Sequence, residues 1–144
     1  MIIEQILDKK GRRCATVAPE ALVARAVAML AEERIGAVVV ETLKGAVVGI
    51  FSERDLVREL ARRGPGVLDI HVQDLMTSPV ISCRPEDRVD AVMAIMAERH
   101  IRHMPVIKDG KLSGMVSIRD MVRERLSEKE MEAATLLDIS RLHA

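Results

Sequence analysis

Apolar positions recur along this chain in patterns that each occur twice. Val23, Ala26, Val27, Leu30 and Ala31 stand at i, i+3, i+4, i+7 and i+8, the stripe of a helix with one buried face. Val89, Val92, Met93, Met96 and Ala97 repeat those spacings. A short apolar run rich in β-branched residues follows each stripe, at 37–40 and 104–107, and predicts a buried strand. Turns come next. Asp109-Gly110 has the composition of a two-residue hairpin, and Gly45 marks a looser turn. Residues 46–51 and 112–116 then predict returning strands, with second helices starting at Ser52 and Ser117. Gly64-Pro65-Gly66 stops the first of these helices. Asp87 and Asp90 are candidates to cap the second copy's first helix, whereas Ala21 offers the first copy no cap.

The two halves align residue by residue. Pro19-Glu20 recurs as Pro85-Glu86, an offset of 66 that also matches Val23 to Val89, Ile35 to Ile101 and Val40 to Val106. After a one-residue deletion in the second hairpin the offset is 65, matching Gly49 to Gly114, Ser52 to Ser117 and Arg54-Asp55 to Arg119-Asp120. Each unit reads as lead-in strand, helix, strand, strand, helix. A unit of about 50 residues buries too little apolar surface to stand alone. The expected fold is therefore α/β (α+β): two β-α-β-β-α repeats packed about a pseudo-two-fold axis. The expected divisions are 1–66, 67–126 and a helical tail at 127–144. Residues 3–7 and 72–76 are short amphipathic stretches ahead of the two lead-ins. The tail carries Met131, Ala134, Leu137 and Leu142 on one side, which suits a helix docked on its own chain or fraying in solvent, or else a dimer contact.

The segment Gly49-Ile50-Phe51-Ser52-Glu53-Arg54-Asp55, repeated as Gly114-Met115-Val116-Ser117-Ile118-Arg119-Asp120, carries the chemistry. Ser-x-x-Asp at a strand-to-helix junction forms a capping box, in which the hydroxyl and the acid satisfy the first helical N–H groups. The same geometry suits a nucleotide. A helix N-terminus attracts phosphate, Ser adds a donor, Arg adds a fork matched to phosphate oxygens, and the Asp can accept from vicinal ribose hydroxyls. Occurrence in two copies favours the nucleotide reading over the capping one.

This repeated Gly-h-h-Ser-x-Arg-Asp pattern (h apolar) resembles the CBS domain family, whose tandem pairs are called Bateman modules. The resemblance extends to Val72-Gln73-Asp74-Leu75-Met76-Thr77 and to Arg102-His103-Met104-Pro105-Val106, and spans roughly residues 3–126. It implies a cleft between the repeats for an adenosine compound: AMP, ADP, ATP, NAD or S-adenosylmethionine. Carried over by position, Asp55 and Asp120 bind ribose, while Ser52, Ser117, Arg54 and Arg119 meet phosphate. The lead-in backbone at Thr16-Val17 and Ile81-Ser82 reads the adenine edge, and Val38 and Pro105 help cover the ring. Arg102 and His103, standing where the first copy has Gly36 and Ala37, place a cation near phosphate on one side only. The clefts are therefore expected to differ in ligand or affinity. The family also implies a homodimer.

Composition narrows the alternatives. The 144 residues carry zero formal net charge, no Trp, no Tyr and one aromatic residue, Phe51, which argues against nucleic acid as a partner. Cys14 and Cys83 have no metal or redox spacing. His100 and His103 lack a third metal ligand, and His71 and His143 have no chemical context. Arg58, Arg62 and Arg63 read as a solvated face, Glu128-Lys129-Glu130 as a solvated helix start, and the nine Met residues as core filling. No basic n-region opens the chain and no apolar run reaches the roughly 20 residues of a membrane helix, so a cytoplasmic protein is expected. No P-loop or paired nucleophile and base is present, and the roughly 250 residues of a catalytic barrel do not fit, so an enzyme is not expected. The leading expectation is a regulatory adenine-nucleotide sensor with an unidentified downstream protein. The alternative is a structural homo-oligomer or adaptor without ligand.

Overall fold

A computed structural model describes residues 1–143. Helix α1 (Ile3–Lys10) and strand β1 (Thr16–Val17) lead into α2 (Val23–Glu33), β2 (Ala37–Glu41), β3 (Val47–Ser52) and α3 (Glu53–Arg63). Two 3₁₀ turns, Pro65–Asp69 and Val72–Asp74, connect to α4 (Val89–Arg99), β4 (His103–Lys108), β5 (Lys111–Ser117) and α5 (Ile118–Leu142). Strand order is β1-β2-β3 in one sheet, with β1 parallel and β3 antiparallel to β2, and β4-β5 antiparallel in the other. The mixed α+β architecture and its internal repeat match the expected fold class. Asp109 and Gly110 both take positive φ at the β4-β5 turn, as the hairpin composition predicts.

The second lead-in is shorter than expected. In the first repeat Val17 pairs with Val40, and the equivalent contact in the second is a single parallel bridge from Cys83 to Val106. The pairing residue is thus Cys83, with Ile81-Ser82 just ahead of it. A two-residue strand has no alternation with which to fix its register from sequence. The caps also differ. Asp87 accepts from the Arg84 N–H at 2.8 Å, before the helix, and Asp90 accepts from the Ala91 N–H at 2.9 Å inside the first turn. The N-cap of α4 is Arg88, without a side-chain cap.

Two apolar cores form, one per repeat. The first holds Val23, Ala26, Leu30, Val38, Val40 and Phe51, and is closed by Val67, Val72 and Leu75 of the connecting turns. The second holds Val89, Val92, Met96, Met104, Val106, Val116 and Met121, and is closed by Ile3, Ile6 and Leu7 of α1. Thus the chain's first helix completes its second repeat. The bridge Ile2↔Arg88 repeats the bridge Leu22↔His71, so α1 plays for the second repeat the part of residues 71–77 for the first. Two glycines let these closing segments approach. Gly49 lies against Met76, and a Cβ on Gly114 would stand 2.9 Å from a Leu7 methyl. Ala31 and Ala97, at the edge of the predicted stripes, are exposed.

Helix α5 does not break after the second repeat. Gly64 and Pro65 end α3, but no such residue follows Val122, so one helix runs to Leu142 and Glu128-Lys129-Glu130 lies inside it. Its last part is exposed on all sides, with Met131, Leu136, Leu137 and Leu142 in solvent.

Leu7→Ala is expected to destabilise the protein by about 2–5 kcal/mol in denaturant unfolding. Leu43→Ala, at a fully exposed position, is expected to stay within about 0.5 kcal/mol of wild type. Equal effects at the two sites would contradict α1 as part of the second core.

Candidate functional site

Both Ser-x-x-Asp junctions form capping boxes. At α3 the Asp55 N–H donates to Ser52 Oγ at 3.4 Å, and Asp55 Oδ2 accepts from the Ser52 N–H at 2.8 Å and from its hydroxyl at 3.1 Å. At α5 the Asp120 N–H donates to Ser117 Oγ at 3.2 Å, and Asp120 Oδ2 accepts from the Ser117 N–H at 2.9 Å. Strands β3 and β5 therefore each end where a helix N-terminus begins, with Ser and Asp fixed on that turn.

Each junction opens on a cavity walled by the other repeat. A cavity of about 310 Å3 brings Ser52, Arg54, Asp55 and Arg58 of the first repeat against His100, Ile101, Arg102 and His103 of the second, with Thr77 between them. A cavity of about 920 Å3 brings Ser117, Arg119, Asp120 and Arg123 against Arg34, Ile35 and Gly36, with Lys10 of α1 at the side. Arg34 and His100, both in left-handed C-caps of their helices, occupy equivalent places across the pseudo-two-fold. Gly36, Glu53, Arg102 and His103 line both cavities. The His103 ring fills the space above Gly36, where a Cβ would stand 2.7 Å from it.

The two carboxylates have different partners. Asp55 is buried, and its Oδ1 accepts from Arg58 Nη2 at 2.7 Å and Thr77 Oγ1 at 2.9 Å. With the Ser52 donors on Oδ2, its four acceptor positions are filled. Asp120 Oδ2 accepts from Lys10 Nζ at 2.7 Å, and Lys10 also donates to the Met115 carbonyl at 2.9 Å. Asp120 Oδ1 has no donor among the described residues. Burial opposes the Asp120 charge, but the Lys10 ammonium and the Ser117 donors outweigh it and hold the carboxyl below its ordinary value.

Of the residues picked out in the sequence, Ser52, Arg54, Asp55, Arg102, His103, Ser117, Arg119 and Asp120 line these cavities. Thr16, Val17, Val38, Ile81, Ser82 and Pro105 line neither. Val17 and Val38 belong to the first apolar core, and Ser82 faces a separate cavity beside the β4-β5 turn. Two readings need correction. Arg102 and His103 serve both cavities rather than one, because they stand near the pseudo-axis. Arg58 is no merely solvated residue, since its guanidinium closes on Asp55. Lys10, Arg34, Thr77 and Arg123 were not singled out as site residues. Thr77 ends the recognised lead-in segment, and Arg123 is the repeat equivalent of Arg58, so both had a sequence signal. Lys10 had none.

Two repeats with this topology, each presenting a capped Ser-x-Arg-Asp turn to the gap between them, agree with a sequence model described as the CBS domain, which matches residues 5–62 and 72–127. The chain belongs to the CBS-domain family. This CBS pair is 37% identical over 115 residues to the mitochondrial CBS domain-containing protein CBSX3 of Arabidopsis thaliana, covering 77% of this chain and 56% of that one. It thus spans little more than half of the plant relative. A CBS-domain containing protein of Agrobacterium tumefaciens superposes with a TM-score of 0.83 at 40% identity, over 86% of this chain and 92% of that one. A CBS domain protein of Pyrobaculum aerophilum, solved in complex with AMP, superposes with a TM-score of 0.74 at 28% identity, over 83% of this chain and 89% of that one.

Other reactive groups are quiet. Burial pushes the Cys14 thiol up to about 11 and the Cys83 thiol up to about 12, so neither is a thiolate at neutral pH. Among the described residues no group of three or more His, Cys, Asp or Glu is placed to hold a metal ion, and no helix is long and apolar enough to cross a membrane.

Burial lowers the His103 pKa from about 6.5, against the opposing pull of Glu53 and Asp120 and with the help of Lys10 and Arg102. A histidine depressed by folding contributes stability above its unfolded value, and that contribution is lost as pH falls through the folded value. His103→Gln is therefore expected to flatten the decline in thermal stability between about pH 7 and pH 5. An unchanged pH profile would contradict the burial of a neutral ring between the repeats.

Proposed function

We propose that this CBS pair is a non-catalytic regulatory module that binds an adenosine-containing ligand, of the AMP, ADP, ATP or NAD type, between its repeats. The observation that carries the reading is Asp120. Asp120 lines an interdomain cavity, its Oδ1 has no donor among the described residues, and it stands one turn inside a helix whose first residues line the same space. A ribose supplies the missing hydroxyl donors, and the helix N-terminus with Ser117 and Arg119 supplies a phosphate site. The AMP held by the Pyrobaculum relative supports the same ligand class. Ligand binding acts as a signal to the extent that it favours one arrangement of the repeats over another. The compartment is one that holds adenine nucleotides, the cytoplasm or, as for the plant relative, the mitochondrion.

A second reading rests on exposed apolar residues. Val57 and Leu60 of α3, and Val122 and Leu126 of α5, lie in solvent, with Val57 and Val122 at equivalent repeat positions. They support a homodimer, to be tested by sedimentation equilibrium. A purely structural oligomer would dimerise without binding any nucleotide.

With no Trp or Tyr, a nucleotide that co-purifies dominates the ultraviolet spectrum. Added at about 100 times its dissociation constant, the right ligand is expected to stabilise the protein by about 2.7 kcal/mol in thermal unfolding. Asp120→Asn keeps an acceptor for the Ser117 N–H but loses the charge facing the cavity, and is expected to remove most of that shift. A panel of adenosine compounds that leaves the unfolding temperature unmoved would refute the nucleotide reading.

A further inference from the structure

The repeats differ in where their equivalent arginines go. Arg58 and Arg123 occupy the same position, one turn beyond Asp55 and Asp120. In the first repeat Arg58 donates to Asp55 Oδ1 at 2.7 Å, and the carboxylate is saturated. In the second, Lys10 of α1 takes Asp120 at Oδ2, and Arg123 makes no ion pair or hydrogen bond among the described residues. Residues 71–77, the first repeat's counterpart of α1, bring Thr77 to Asp55 in place of a lysine. A hydroxyl leaves the carboxylate charge unpaired, and Arg58 folds back to it while also pairing with the buried Glu59 at 3.5 Å.

Two consequences follow at the cavities. The larger one is cation-rich: Arg34, Arg102, Arg119 and Arg123 line it without a carboxylate partner, beside the N-terminus of α5. The smaller one has its acid filled by its own chain, and its about 310 Å3 stands at the low end of the range of small-molecule sites. The about 920 Å3 of the larger stands near the top of that range. Guanidinium groups bind phosphate oxygens as forks, and each added phosphate brings further charge to a site already short of anions.

Building on the adenosine reading above, we propose that the Asp120 cleft selects a nucleoside polyphosphate, while Arg58 holds the Asp55 cleft shut as an internal occupant. The chain then takes one polyphosphate nucleotide, and the second place opens only when the Arg58–Asp55 pair is broken. Arg123 discriminates by phosphate number; Arg58 sets stoichiometry.

Isothermal titration of the full chain with ATP, ADP, AMP and adenosine tests this. Wild type is expected to bind one nucleotide per chain, with affinity falling from ATP through ADP and AMP to adenosine. Arg123→Ala is expected to weaken ATP by on the order of tenfold and adenosine little, since one charge-assisted contact to phosphate is lost. Arg58→Ala, with Arg58→Gln as a second variant that keeps most of the side chain, is expected to raise the stoichiometry from one to two. Two sites in wild type, AMP binding as tightly as ATP, or a single site in both folded Arg58 variants would each overturn the proposal while leaving the adenosine reading standing. Failure of all four compounds to bind would overturn that reading and this proposal together.

Discussion

Ile3, Ile6 and Leu7 are buried in the core of the second repeat, although the whole first repeat lies between them and that core in sequence. This contact constrains everything built on it. The second repeat is not complete as a contiguous stretch with its own lead-in. The first is closed by the segment after it, and the second by the segment before the first. The ion pairs Lys9–Glu124 at 2.9 Å and Lys10–Asp120 at 2.7 Å fasten the same helix to α5. Partly exposed pairs of this kind contribute modest stability individually. The buried apolar residues therefore hold α1 in place, and the lysines exploit its position. Helix α1, which precedes the first repeat, is thereby fastened to the core of the second.

From that fastening comes the inequality of the clefts. The strand-to-helix junctions are close to equivalent: both capping boxes have the backbone bonds in common, and only Ser52 adds a hydroxyl bond to its Asp. The closing segments are not. One is a full helix ending in Lys9-Lys10, and the other is a 3₁₀ turn ending near Thr77. A lysine and a threonine beside equivalent acids, Asp120 half-buried and Asp55 buried, lead to different charge balance, and the arginine one turn on is placed differently in each case. Changes outside the repeated core thereby alter the chemistry inside it without touching the residues that define the motif.

Much of this architecture was legible in the sequence because it is local. Helical stripes, β-branched runs, the Asp109-Gly110 turn and the Ser-x-x-Asp junctions each reside in a few consecutive residues. Duplication made them readable twice over. What escaped is non-local. Nothing in residues 3–7 tells which repeat their apolar face will cover, because an amphipathic stripe fits either core. Lys10 meets Asp120 only through that choice, so its role in the site had no trace in its neighbours. Arg58, Arg62 and Arg63 looked like solvated arginines, yet each pairs with a buried acid of its own helix, Arg58 with Asp55 and the other two with Glu59. The second lead-in pairs through Cys83, the residue that the offset of 66 sets opposite Val17, rather than through Ile81-Ser82. Helix α5 ran on through residue 127 since family resemblance marks where a domain ends, whereas a helix ends only where its backbone meets a breaker.

The centre of the molecule links the two cavities physically. Gly36, Glu53, Arg102 and His103 form a common wall, and the Glu53 N–H donates to the Gly36 carbonyl at 3.0 Å just as the Ile118 N–H donates to Arg102 at 2.9 Å. Arg54 reaches across to the His100 carbonyl at 2.8 Å, tying the start of α3 to the end of α4. Arg119, its repeat equivalent, has no such bond among the described residues, so the crossing tie exists on one side. A group that moves the His103 ring from above Gly36 reshapes both cavities at once, since there is no space for ring and displaced wall together. Two ligands that favour different positions of that wall would oppose each other by a coupling free energy that is the same whichever binds first. The pseudo-axis thus serves as the place where two unequal sites share a single set of side chains.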